Sequence, residues 1–128
     1  MRQNADFGYR RLYARCWTAH LHGDLAALLE LAGDPSLSPD MLATIAPDAA
    51  DRGAPSELIH AVLAHPACGV GVAGRFATHR DAAVRLRVAT FHGLLTSTLA
   101  VLAVDDDERV QAAAVAVLDQ RAATMTGD

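Results

Sequence analysis

Gly69, Gly71 and Gly74, in the run CGVGVAGRF, have the G-x-G-x-x-G spacing that lets a backbone turn approach a dinucleotide pyrophosphate. That chemistry needs a strand before the glycines, a helix opening on them and an acidic residue about 20 positions on. Here the preceding SELIHAVLAHPA reads as a helix, and the acids after Gly74 are Asp81 and then none before Asp105. The pattern therefore implies neither a nucleotide site nor any cofactor. The glycines read instead as small residues at a close helix–helix contact.

Histidine offers the next chemistry. His20, His22 and Asp24 form an H-x-H-x-D string with metal-ligand residue types. On a continuous helix His20 and His22 face apart, so they converge only if the helix ends there. Gly23 is placed to end it, and the sequence leaves that metal site open. His60, His65, His79 and His92 fall near helix ends or turns, where an imidazole suits the helix dipole. The acidic run Asp105 to Glu108 lacks the alternating ligands and the glycine of a calcium loop. It suits a helix N-terminus instead. Cys16, Ser36, Ser38, Ser56 and Ser97 sit in no nucleophile motif. No enzyme activity is expected.

The N-terminal run YRRLYARCWTAHLH reads as an amphipathic helix with Tyr9, Tyr13 and Trp17 on one face. Residues 1–17 carry a formal charge of +3, from Arg2, Arg10, Arg11 and Arg15 against Asp6. Tyr, Trp and Arg are the residue types that dominate binding interfaces. Tyr9, Arg10, Tyr13 and Trp17 are therefore candidate partner-binding residues.

The elements that must position these groups are helices. The chain has 128 residues, 27 of them alanine, with 52% hydrophobic and only 5% aromatic residues. Such a core of Ala, Leu and Val suits closely packed helices. All 11 cations are arginine and the net charge is −4, which disfavours nucleic-acid binding through phosphate neutralisation. Cys16 and Cys68 read as buried free thiols. With no apolar leader or membrane-length run, a cytoplasmic protein that does not engage a membrane is expected.

Two segments align with each other without gaps, Val70 to Thr90 on Thr96 to Ala116. Asp81 falls on Asp107, Val84 on Val110, and Gly71 and Gly74 on Ser97 and Ala100. An upstream copy, LAGDPSLSPDMLATIA, is followed by a longer linker, PDAADRGAPSE. Ser38-Pro39-Asp40 is a helix start, Asp24 can cap LAALLELA, and Asp106 or Asp107 can cap a last helix from about Glu108 to Ala123. In that helix Val110, Ala113, Ala114, Val117 and Leu118 form one apolar stripe.

The phrases LAGDPSLSPDMLATIA, LAHP and DAAVRLRVAT resemble the leucine-rich repeat variant family, and Asp81-Ala-Ala-Val84-Arg85 is similar to HEAT-type repeats. The resemblance spans Leu28 to Leu118. It implies an all-α fold, a short right-handed α-solenoid of about three helical repeats with an N-terminal capping helix. In that reading residues 1–128 are one domain: 1–27 the cap, 28–118 the repeats, and 119–128 the end of the last helix and a tail. The resemblance also implies an Asp–Arg ladder between repeats, though Gln111 replaces the arginine in the last copy. Such proteins bind other proteins on an extended surface, here through Arg85, Arg87 and Gln111 or through the N-terminal helix. The expected role is a non-catalytic protein-interaction module: an adaptor, an inhibitor or an immunity-type partner. Two alternatives are a HEAT-like nucleic-acid binder using Arg80, Arg85 and Arg87, and a self-associating subunit joining its basic N-terminus to its acidic C-terminal half.

Overall fold

The computed structural model describes residues 2–126, and the side chains of 8–125; Phe7 and the end of the tail lie outside the described side chains. Among the described residues there are eight α-helices and no strand. They are α1 (Arg2–His22), α2 (Leu25–Ala32), α3 (Pro39–Ile45), α4 (Ser56–Ala64), α5 (Val70–Gly74), α6 (Ala82–Ala89), α7 (Thr96–Leu102) and α8 (Glu108–Thr126).

Local chemistry sets the boundaries. The Ser38 hydroxyl accepts the Met41 N–H at 3.3 Å, with Pro39 in the first turn and Asp40 beside it, as expected. Asp24 caps α2 by accepting the Ala27 N–H at 3.2 Å. Asp107 starts α8 by accepting the N–H groups of Arg109 at 2.9 Å and Val110 at 3.4 Å. Gly23, at φ 58°, ends α1. There the Gly23 N–H donates to His20 O and the Asp24 N–H to Ala19 O, both at 3.2 Å, which is a Schellman closure that favours glycine.

The helices recur in step. The starts of α4, α6 and α8, at Ser56, Ala82 and Glu108, are evenly spaced along the chain. Helix α2, which begins at Leu25, precedes α4 by a longer interval. The extra length falls in the connection between α3 and α4. Helix α2 packs on α4, α4 on α6, and α6 on α8. Helix α1 packs on α2 and α3, and α7 on α6 and α8.

Equivalent positions share one fate. Leu42, Ala73 and Leu99 are fully buried, and so are Ile45, Phe76 and Leu102. Leu31, Val62, Val88 and Ala114 form the matching row on α2, α4, α6 and α8. Apolar area removed from water at these rows is the main favourable term holding the helices together.

On α1 Cys16 and Ala19 are buried, Leu12 and Tyr13 pack partly against the core, and Tyr9 and Trp17 are each 46% exposed. Small Cys and Ala side chains let α1 lie close to α2 and α3. One expectation needs correction: the close-contact reading of Gly71 fails, because a Cβ built there meets nothing within 4 Å. Gly71 is exposed on the short helix α5. Gly74 meets only Thr98, at an ordinary 3.7 Å.

Candidate functional site

The polar chemistry of this chain gathers at the joins between successive helix pairs. His65 closes α4, and its ring is buried. Nε2 lies 2.7 Å from the carbonyl of Asp34, and Nδ1 accepts the Ala67 N–H at 2.9 Å. His79 precedes α6, and its ring is buried too. Its Nε2 lies 2.7 Å from the carbonyl of Ala54, and its Nδ1 accepts the Asp81 N–H at 3.0 Å. In both rings, an acceptor at Nδ1 leaves Nε2 as the donor, so both are the neutral Nε2–H tautomer. Each imidazole ties its own turn to the preceding unit.

One period later the slot of His79 holds Asp105. Its carboxylate accepts the Asp107 N–H at 2.8 Å, the same local bond. Its long-range partner is Arg85, whose Nε and Nη2 donate to the two carboxylate oxygens at 2.8 and 3.1 Å. Arg85 Nη1 also donates to the carbonyls of His79 and Arg80, at 2.7 and 3.0 Å. The arginine thus fastens the turn before α6 to the turn before α8. Arg85 bonds Asp105 and not the motif aspartate Asp107, and Gln111 is exposed at the equivalent position of α8. Asp81 does not bond an arginine; it caps α6 through the Ala83 N–H at 2.9 Å and accepts the Ser56 hydroxyl at 2.8 Å.

The loop between α3 and α4 adds further ties. Arg52 Nε donates to the Thr78 carbonyl at 2.7 Å, and the Arg80 N–H donates back to the Arg52 carbonyl at 3.0 Å. From α5's end, Arg75 reaches the Ala43 carbonyl at 3.0 Å.

Electrostatics follow these contacts. The Ser56 hydroxyl, then the Ala83 N–H, hold the Asp81 carboxyl below its ordinary value. The Ser36 side chain and N–H do the same for Asp34. Burial pushes Asp105 up, but the bonds from Arg85 and the Asp107 N–H outweigh it and leave the group lowered. Burial raises the Cys16 and Cys68 thiols, which keeps both in the weakly nucleophilic protonated form.

The sequence-derived candidates are distributed as follows. Arg85 is engaged inside the protein, in a pair whose side chains are only 16% and 9% exposed. Arg87 is exposed, with Nη1 3.3 Å from His60 Nδ1. Tyr9 and Tyr13 make an edge-on ring contact at 5.8 Å, and Trp17 meets His20 edge-on at 5.7 Å. Arg10 is exposed beside them. The structure therefore does not unite the arginines of α6 with the aromatic helix α1. His20, His22 and Asp24 do not form a ligand set either. Among the described residues, no three His, Cys, Asp or Glu side chains gather as a metal would require. The glycine run follows α4 and a turn, with no strand before it.

No known protein family, curated protein or solved structure matches the chain. Among the described residues, no helix is long and apolar enough to cross a membrane.

The roles of His65 and His79 are not apparent from local sequence. One signal does exist: in the repeat alignment His79 falls on Asp105, and both are side chains that can accept a backbone N–H two residues on.

Proposed function

We propose that this chain is a short α-solenoid, as the leucine-rich repeat variant and HEAT resemblance implies, and that it acts as a non-catalytic protein-binding module. The observation that carries this reading is the burial of equivalent positions in successive units, Ile45, Phe76 and Leu102 above all. Units that stack on equivalent faces generate an extended, ordered surface, and such surfaces serve recognition. The titratable groups point the same way. His65, His79, Asp81, Arg85 and Asp105 all hold the backbone of the joins. Arg85 is thereby withdrawn from the basic cluster on which the nucleic-acid reading depends.

A photocrosslinking residue placed in turn at Trp17, Arg87 and Gln111 tests the proposal. In native lysate, one protein should crosslink in stoichiometric amount from at least one of these positions. If all three positions yield no adduct, and the purified chain turns over a small molecule instead, the reading is wrong.

A further inference from the structure

Among the described residues, the large exposed apolar side chains fall in two stretches toward the ends of the sequence. They are Tyr9, Trp17 and Leu21 on α1, and Leu95, Val101, Val104, Val115 and Met125 on α7, α8 and their flanking turns. Between Leu21 and Leu95 no large apolar side chain among the described residues is exposed to that degree. Scattered exposed apolar residues need no explanation, whereas a concentration at two places marks contact surfaces.

The repeat shows how the second surface arises. Ala32, Leu63, Ala89 and Val115 occupy equivalent positions of α2, α4, α6 and α8. The first three are 4%, 7% and 1% exposed, each in a helix that the next one packs against. Val115 remains apolar but is 39% exposed, and among the described residues no later helix packs on α8 in that row. The position of Arg85, whose guanidinium reaches the following turn, is held in α8 by the exposed Gln111. The α7–α8 end thus presents a face of the kind that each interior unit uses to receive its successor.

Charge suggests the occupant. Residues 1–17 carry +3, and residues 95–126 carry five acids against two arginines; with Asp105 already neutralised by Arg85, a net −2 remains. On α1 Arg10 is exposed, and Arg15 is 59% exposed, only loosely paired with Glu30 at 3.9 Å. Arg10, Trp17 and Leu21 fall at helical spacing (i, i+7, i+11) on one face of α1, and all three are exposed. One end therefore offers exposed apolar side chains beside a cation, and the other offers apolar side chains amid carboxylates. Opposite fields of this kind steer association and fix its register.

We infer that a second copy of this chain is a partner, the α1 end of one molecule seating on the α7–α8 end of the next. This rests on the protein-binding reading and names one partner and the surfaces it uses. The contact is heterologous, so it builds linear oligomers unless the rotation between copies closes a ring.

Sedimentation velocity of the full chain, from micromolar to millimolar concentration, tests the inference. The weight-average mass should rise from the monomer's 13.5 kDa to at least double. It should fall again when salt is raised from about 50 mM to about 500 mM, which shortens the reach of exposed charges. Val115→Arg, and separately Val104→Arg at a 77% exposed site, should each weaken association by about tenfold or more without loss of helical circular dichroism. The decisive arm mixes Val115→Arg with an Arg10→Glu, Arg15→Glu double variant. Each alone should be monomeric. Together they should form a one-to-one complex that grows no further, since each retains one complementary end. Monomer at every concentration, or dimers that survive blocking of either end, overturns the inference. A crosslinked lysate partner in the absence of self-association would leave the protein-binding reading standing alone.

Discussion

His79 and Asp105 stand one period apart and make the same local bond, each accepting the backbone N–H two residues on, at 3.0 and 2.8 Å. They differ in what lies across the join. The imidazole reaches the Ala54 carbonyl, whereas the carboxylate receives Arg85. A neutral donor and an anionic acceptor thus serve one slot.

His79→Ala strips partners from two backbone groups, the Ala54 carbonyl and the Asp81 N–H. The expected loss is about 2–4 kcal/mol, because buried polar groups left unpaired cost more than a hydrogen bond contributes. His79→Asn keeps a short acceptor for the Asp81 N–H and should lose less. Urea denaturation of the three proteins should rank them His, Asn, Ala; equal stability would remove the join from the energetics.

The Arg85–Asp105 pair is bidentate and mostly shielded from solvent. Asp105→Ala leaves a half-buried guanidinium with fewer partners and should cost about 2–3 kcal/mol. Arg85→Met should cost a similar amount. In a double-mutant cycle the two losses should fall short of additivity by about 1 kcal/mol or more. Strict additivity would show that the two residues act separately.

Acid should loosen the joins. Asp34, Asp81, Asp105 and Asp107 all have folded-state values below the ordinary carboxylate value. The unfolded chain therefore binds more protons, and stability rises with pH through that window. The contribution is complete above the unfolded value of about 3.9 and is lost as pH falls through the lower folded values. Denaturation midpoints measured between neutral pH and about pH 2.5 should fall most steeply below about pH 4. Asp105→Asn should flatten that fall, and an unchanged profile would contradict the assignment.

Glycines separate conformation from crowding. Gly71→Ala should be neutral or slightly stabilising, since open space lies where the new methyl goes and Ala favours helix. Gly23→Ala should lose about 1 kcal/mol, because φ 58° is unfavourable for an L side chain. Thermal melts of both variants check the pair; a larger loss at Gly71 than at Gly23 would reverse the assignment.

What the sequence discloses follows from how local each cause is. Ser38-Pro39-Asp40 and Asp107-Glu108 mark their helix starts because a cap bonds within three residues. The repeat step is visible because buried positions such as Phe76 and Leu102 accept only apolar residues. The bonds from His65 to Asp34 and from His79 to Ala54 span 31 and 25 residues. No spacing rule exposes bonds of that span, and His at one join is replaced by Asp at the next. The sequence puts Tyr9, Tyr13 and Trp17 on one face of α1, but the structure divides them: Tyr13 packs partly against the core with Leu12, Cys16 and Ala19, while Tyr9 and Trp17 are exposed.

The polar ties between neighbouring units sit largely in the connecting turns: Asp34 with His65, Ala54 with His79, Arg52 with Thr78, and Arg85 with Asp105. Tension applied to the two termini would load these fasteners in series, one after another. On the solenoid reading, such a chain should yield to force in steps, each releasing one unit of slack, about 9 nm at full extension. The join between the turns before α4 and α6 holds four such bonds, from Arg52, Ser56, His79 and Arg80, against the two that Arg85 makes to Asp105, and should yield later.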